Sequence, residues 1–204
     1  MQCYDDGLVD DIRLIAILRR CGAKAAFCLI PGLYLEHRTG WRDGDREILR
    51  ISADEMQAVY KGFEIVSHSM THPVLTDLTP DRMAWETGRS REILQSAFGQ
   101  PVGGFCYPFN SYDQRVKDAV RAAGYVWARG NGDSGTYPPA DSLEFHPSCH
   151  FLAPYFWDKY REVREKGGVF FFWGHSYELR HEHMWYEFEK KIEGENMGSV
   201  PSFL

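Results

Sequence analysis

Short apolar runs in this chain repeatedly end in a cluster of polar, titratable residues, and amphipathic stretches separate them. That order constrains the fold more than any other feature. Residues 25–30 are continuously apolar and stop at Pro31-Gly32, as a strand buried on both faces would. Residues 63–67 lead into His68, residues 102–107 into Pro108-Phe109-Asn110, and residues 169–173 into Gly174-His175. Residues 125–129 form another such run and end on Arg129. Between the runs lie helical patterns: Leu8, Ile12, Ile15 and Leu18; a helix opened by the capping box Ser52-Ala-Asp-Glu55; and a helix from Thr79-Pro80 to Gly99. Further patterns are Val116, Val120 and Ala123 before Gly124, residues 156–166, and a last helix with Trp185, Phe188 and Ile192. Residues 32–50 and 130–149 read as loops. Five or six strands alternating with helices predict a single α/β domain, an open parallel sheet or a β/α barrel with right-handed crossovers. Either architecture gathers function at the C-terminal ends of its strands, where the polar clusters fall.

Charge narrows the partners. Lys and Arg number 23 against 29 Asp and Glu, with no basic run, so a nucleic acid is not an expected partner. A neutral substrate such as a sugar is compatible, and the aromatic content of 15% would serve core packing or a sugar-binding rim. The five cysteines form no CxxC pair and read as free thiols in a reducing compartment. No stretch is long enough to span a membrane and no signal-like segment follows Met1, which points to a cytoplasmic protein. The short lead into Asp5 leaves open a longer natural N-terminus with a signal peptide.

The chemistry lies in the clusters. His68 and His72 stand at i, i+4, which on a helical turn puts both imidazoles on one face, and a carboxylate is the natural third ligand. The adjacent Asp5 and Asp6 can divide the work, one binding metal and the other standing by the water. An HxxxH pair alone is more often a cap plus a surface residue. The DD pair and a further strand-end histidine, His175, tip the balance to a metal site. Zinc suits two imidazoles and a carboxylate, and cobalt, nickel and iron as divalent ions suit them too.

With these motifs on the page, the chain resembles the polysaccharide deacetylases, the NodB-homology or family-four carbohydrate esterase domain. Tyr4-Asp5-Asp6-Gly7 is similar to (T/S)FDDG, His68-Ser-Met-Thr-His72 fits H(S/T)xxH, Phe105-Cys-Tyr-Pro-Phe-Asn110 is similar to the third motif, and Trp173-Gly174-His175 to the fifth. The resemblance implies a deformed (β/α)7 barrel over residues 1–204 and a hydrolase of linear amides, in which a metal-activated water removes N-acetyl groups from a carbohydrate. It implies Asp6, His68 and His72 as metal ligands, Asp5 as general base and His175 as general acid. The Phe109 N–H would stabilise the oxyanion, Trp173 would line the acetyl pocket, and Tyr107 would border the substrate.

Three departures qualify it. The family's third-motif Arg, which braces the base, is replaced by Cys106; Arg129, at the end of the next strand, is the substitute expected in its place. The fourth-motif Asp is not evident, although Asp133 lies nearby. His146 and His150 sit in a loop and read as surface residues more readily than as cleft residues. The chain is also short at both ends for the family, and a missing first or last strand would expose sheet edges and favour a homo-oligomer. Two alternatives follow: a metal-dependent hydrolase of small non-sugar amides or ureides on the same fold, and a silent carbohydrate-binding module. A complete acid, base and metal set argues against the module.

Overall fold

The computed structural model describes residues 1–132 and 137–196; Asp133 lies outside them. Seven parallel strands form one curled sheet in the order β7-β6-β5-β2-β1-β9-β8. They are β1 (Gln2–Asp5), β2 (Ala26–Leu29), β5 (Glu64–Ser67), β6 (Gly104–Cys106), β7 (Trp127–Arg129), β8 (Cys149–His150) and β9 (Phe172–Gly174). The helices are α1 (Asp11–Arg20), α2 (Ala53–Val59), α3 (Pro80–Phe98), α4 (Gln114–Ala122), α5 (Phe156–Lys166) and α6 (Glu182–Asn196). This is the α/β barrel-like class that the alternation predicts.

Alternate strand residues separate two cores. Tyr4, Phe27, Ile65, Phe105, Ala128 and Phe172 pack into the large cluster that includes helix residues such as Leu14, Leu18, Leu94 and Val120. The opposite set, Cys3, Ala26, Cys28, Val66, Cys106 and Phe171, forms a thin inner core. Small side chains on that face let the sheet curl. Residues 142–150 bridge the two sheet edges: Phe145 N–H donates to the Ala128 carbonyl and Gly130 N–H to Phe145, while β8 pairs with β9. Their backbone thereby occupies an edge that would otherwise invite pairing. No helix among the described residues is long and apolar enough to cross a membrane.

Helix ends follow the sequence signals. Ser52 N–H donates to Glu55 Oε2 at 3.0 Å to open α2, and α3 ends at Gly99 in the left-handed conformation. Two readings require correction. The segment 32–50 contains an antiparallel hairpin, β3 (Gly40–Asp43) and β4 (Arg46–Leu49), turned by Gly44-Asp45 with Gly44 at φ +62°. Ile48 is the one buried residue of the two strands, so the hydrophobic alternation that marks a strand is weak. The loop 130–149 runs into β8, which is two residues long and too short to leave a periodic signal.

Asp11 anchors the first turn. It is fully buried, and its Oδ2 accepts from Leu8 N–H (3.0 Å) and the Tyr60 hydroxyl (2.7 Å). Burial pushes its pKa up to about 7, above the ordinary carboxylate value. The folded state then binds a proton that the unfolded chain has released, so stability is lost as pH rises from about 4 through 7. Urea unfolding of wild type and Asp11→Asn should show the wild type losing roughly 2–4 kcal/mol relative to the variant between pH 4 and pH 8. Parallel pH profiles would show that Asp11 titrates normally.

Candidate active site

The strand ends carry unusual backbone. Among the described residues, the non-glycine positions with positive φ, Asp6, Ser69, His72, Phe109 and Asn110, all lie in the three loops after β1, β5 and β6. Such conformations cost on the order of 1–2 kcal/mol each and need local support. At the first loop, Asp6 N–H donates to the Cys28 carbonyl at 3.1 Å. The Tyr34 hydroxyl donates to the Asp6 carbonyl at 3.0 Å and accepts from Ile30 N–H at 2.9 Å. A Cβ at Gly7 would collide with that hydroxyl, so the residue after Asp6 must be glycine.

The second loop is not the helical turn that the i, i+4 spacing suggests; residues 68–72 are irregular. Side-chain acceptors replace helical carbonyls. The buried Glu86 of α3 accepts from Met70 N–H (2.9 Å), Thr71 N–H (2.8 Å) and the Thr71 hydroxyl (2.6 Å), and Ser69 Oγ accepts from His72 N–H (2.9 Å). The chain doubles back and brings His68 Nε2 within 3.1 Å of His72 Nε2.

Asp6 Oδ1 lies 3.7 Å from His68 Nε2 and 3.9 Å from His72 Nε2. It is buried and has no hydrogen-bond partner. His68 Nδ1 is 2.9 Å from the Cys106 carbonyl, so Nδ1 carries the proton and the Nε2 lone pair faces Asp6. Burial, reinforced by His68, lowers the His72 pKa to about 4 and keeps that ring neutral near pH 7. Two imidazole nitrogens and an unpartnered carboxylate oxygen are the donor set that a divalent cation requires, and tetrahedral zinc would space its ligand atoms by roughly 3.3 Å. These residues fit such an ion.

Asp5, at the end of β1, is 2% exposed. Its Oδ1 accepts from Arg129 Nη2, and the guanidinium, entirely buried, lies 3.4 Å from Cys28 Sγ. Burial alone would raise the Asp5 pKa; Arg129, with His68 and His175, outweighs it and holds the carboxyl below its ordinary value. Arg129 is the register partner of Cys106, the position at which the resembled motif carries its Arg. Arg129 thus braces Asp5 from below and is too deep to meet a substrate.

His175 follows β9, its Nε2 3.9 Å from Asp6 Oδ2 and its ring 5.4 Å from Trp173. Glu178 Oε2 accepts from His175 N–H at 2.9 Å, lies 3.3 Å from His175 Nδ1 and is 2.9 Å from His150 Nε2. His150, on β8, is half-buried against Trp173 rather than a surface residue. Burial would lower the His175 pKa, but Glu178, Asp6 and Asp5 reverse the balance and raise it. Phe109 has φ +55° at the rim, with its ring 4.5 Å from that of His72. Tyr107 does not join the site through its side chain: it is buried, stacks on Tyr112 and donates to the Leu143 carbonyl at 3.0 Å. His146 stands apart, 3.1 Å from the Tyr112 hydroxyl. Glu86 and Glu178 gave no sequence signal, since each resembles an ordinary surface glutamate; a Glu three residues after a strand-end histidine was the one available hint.

Comparison with known proteins agrees with this geometry. The family model described as polysaccharide deacetylase matches residues 1–128. The chain belongs to the polysaccharide deacetylase family. YxkH of Bacillus subtilis, itself named for the polysaccharide deacetylases, is 25% identical over 124 residues, which cover 60% of this chain and 40% of that protein. The chain therefore spans about two fifths of that curated relative. Among solved structures, the Streptococcus pyogenes deacetylase PplD in complex with acetate superposes with a TM-score of 0.60 at 20% identity, covering 71% of this chain and 61% of that one. The Xyl-CE4 domain of a multidomain xylanase from the hindgut metagenome of Trinervitermes trinervoides gives 0.61 at 17% identity, covering 97% and 82%. A family 4 carbohydrate esterase from Streptomyces lividans in complex with acetate gives 0.60 at 14%, covering 96% and 88%. At these identities the structural likeness establishes the shared deacetylase fold.

Two consequences can be measured. Arg129→Met should destabilise the fold by about 3–5 kcal/mol in urea, because it strands the buried Asp5 carboxylate. The double variant Asp5→Asn/Arg129→Met should recover part of that loss; strict additivity would deny the coupling. Glu178→Gln should lower the His175 pKa, since it removes a hydrogen bond that favours the imidazolium, and an NMR titration of the imidazole would read the shift. An unmoved pKa would mean that Glu178 does not govern His175.

Proposed function

We propose that this chain is a metal-dependent hydrolase that removes N-acetyl groups from a saccharide. The observation that supports it most is the convergence of three separate groups at one rim: the Asp6–His68–His72 set, the Asp5–Arg129 pair and the Glu178-held His175. A divalent cation held by Asp6, His68 and His72 would polarise the amide carbonyl and acidify a water.

The remaining work belongs to the chain's own residues. Asp5 stays ionised at neutral pH and accepts the proton of the attacking water. Arg129 occupies its Oδ1, and the Cys106 thiol lies 3.9 Å from its Oδ2. His175 donates from Nε2 to the departing amine nitrogen, while Glu178 at Nδ1 fixes the ring and favours its protonated form. In this reading the backbone N–H of Phe109, in the loop after β6, donates to the developing oxyanion. Trp173, between His150 and His175, forms the wall for the acetyl methyl.

The test is acetate release from N-acetylated chitooligosaccharides by metal-stripped protein, with and without added zinc or cobalt. Release should require the metal and fall at least about a hundredfold in Asp5→Asn, the lower end of the range for a lost general base. Stoichiometric metal binding without acetate release from any saccharide would move the assignment to a small non-sugar amide. Metal-independent release, or an undiminished Asp5→Asn, would overturn the mechanism.

A further inference from the structure

A cleft of about 350 Å³ lies beside His175, between the β3–β4 hairpin and the segment that follows β9. Trp41, Asp43, Leu152, Tyr177, Glu178 and Arg180 are among its walls. Its volume lies at the lower end of the range for small-molecule sites, roughly 300–1,000 Å³. Resting on the deacetylase reading above, we propose that this cleft is a saccharide subsite. It takes a pyranose ring of an N-acetylated oligosaccharide, next to the ring whose amide is cleaved.

The chemistry of the walls selects that ligand. A pyranose presents apolar C–H faces and a rim of hydroxyls, so it needs flat apolar surface and fixed polar groups together. Trp41 and Tyr177 supply the first, edge to face with centroids 5.6 Å apart, extended by the exposed Leu152. Asp43 and Arg180 supply the second. They are joined at 2.6 Å, and both side chains remain partly exposed. An ion pair keeps acceptor and donor capacity in reserve, because guanidinium has five N–H groups and carboxylate about four lone-pair sites.

The cleft is held in place before anything binds. Arg46 Nη1 donates to the Tyr177 carbonyl at 2.8 Å, which ties the hairpin to the turn after β9, and the Arg50 guanidinium sits 4.8 Å from the Trp41 ring. Rigid walls lower the ordering cost of binding. A hairpin that served only to cover the sheet would have no reason to leave Trp41 partly exposed at the rim.

Position relates the cleft to the reaction. Tyr177 lies 5.4 Å from His175, ring to ring. On the far side of the centre, Phe109 is 63% exposed and packs on His72. Contacts run without a break from Phe109 through His72, His68, Asp6, His175 and Tyr177 to Trp41. A surface with apolar rings at both ends and the titratable groups between them suits a chain of sugars and exceeds what a small amide needs.

The experiment measures binding and turnover separately on the full chain. Calorimetry on the Asp5→Asn protein, with N-acetylchitopentaose and N-acetylglucosamine as probes, should show tighter binding of the pentasaccharide. Adding Trp41→Ala should weaken pentasaccharide binding about tenfold and leave the monosaccharide unchanged, with Trp41→Phe retaining most of the affinity. In the Asp5-intact protein, Trp41→Ala should raise KM for the pentasaccharide without lowering kcat. Pentasaccharide binding and KM unaltered in a folded Trp41→Ala protein would overturn the subsite, even with acetate release intact. Trp41-dependent pentasaccharide binding without acetate release from any saccharide would uphold the subsite and remove the deacetylase reading instead.

Discussion

Much of this structure depends on one buried ion pair. Asp5 and Arg129 sit on strands separated in the sheet by β2, β5 and β6, so the guanidinium reaches its partner across the concave interior. Two charges taken from water must be matched closely; beyond Asp5, the guanidinium reaches the Gly130 carbonyl at 3.4 Å and Cys28 Sγ at 3.4 Å, while its Nε has no partner. Here the interior supplies three thiols, Cys3, Cys28 and Cys106, with Cys28 and Cys106 in reach of the pair. The hydrogen bond with Cys28 and then burial push the Cys3 thiol up in pKa, and burial does so for Cys28 and Cys106, so all three stay neutral and polarisable and add no charge. Larger apolar side chains at those positions would fill the space through which Arg129 extends. Curvature, small inner residues and the ion pair are therefore one arrangement.

Above that pair, the rim is made from backbone that few residues tolerate. The strain is confined to three loops and is offset by side-chain acceptors borrowed from elsewhere: Tyr34 for the first, Glu86 and Ser69 for the second. Glu86 reaches up from the buried face of α3, so the helix packed on the sheet also fixes the histidine loop. The outcome is a set of imidazole and carboxylate groups whose positions are set by hydrogen bonds rather than by loop conformation alone, the arrangement that accurate chemistry requires.

Legibility in the sequence followed periodicity and local signals. Strands buried on both faces read as apolar runs, and the capped helices announced their ends through Ser52, Thr79 and Gly99. Asp6, His68 and His175 were visible because each stands where an apolar run stops, and His72 because it stands four residues after His68. Arg129 was visible through a substitution: the pattern wanted an Arg, Cys106 stood in its place, and the next strand in sequence ended on one. What stayed hidden was set by tertiary contact. The β3–β4 hairpin buries only Ile48 of its strand residues and β8 is two residues long, so neither had a hydrophobic pattern to show. Glu86 gained its role only when α3 met the histidine loop. His150 looked like a loop residue because its meeting with Glu178 depends on β8 joining β9. The helical reading of His68 and His72 failed because spacing says which residues can share a face, not which acceptors will take the backbone N–H groups between them.

Charge balance explains why a relocated arginine suffices. Asp5 and Asp6 are neighbours, and two carboxylates this close disfavour each other's ionised forms. The proposed mechanism uses each ionised, one to face a cation and one to accept a proton. Arg129 offsets the charge of Asp5 alone, since it binds below the rim and leaves Asp6 Oδ1 unpartnered. Had the cation come from the rim side, it would have competed for Asp6 and opposed a metal ion. The useful property of the position is depth, and it does not depend on which strand supplies the guanidinium. Within the proposed mechanism the same logic applies to His175, beside which Glu178, three residues away, supplies a carboxylate. In both cases the constraint acts on the electrostatic environment of a reacting group, and this chain meets it with residues from neighbouring positions.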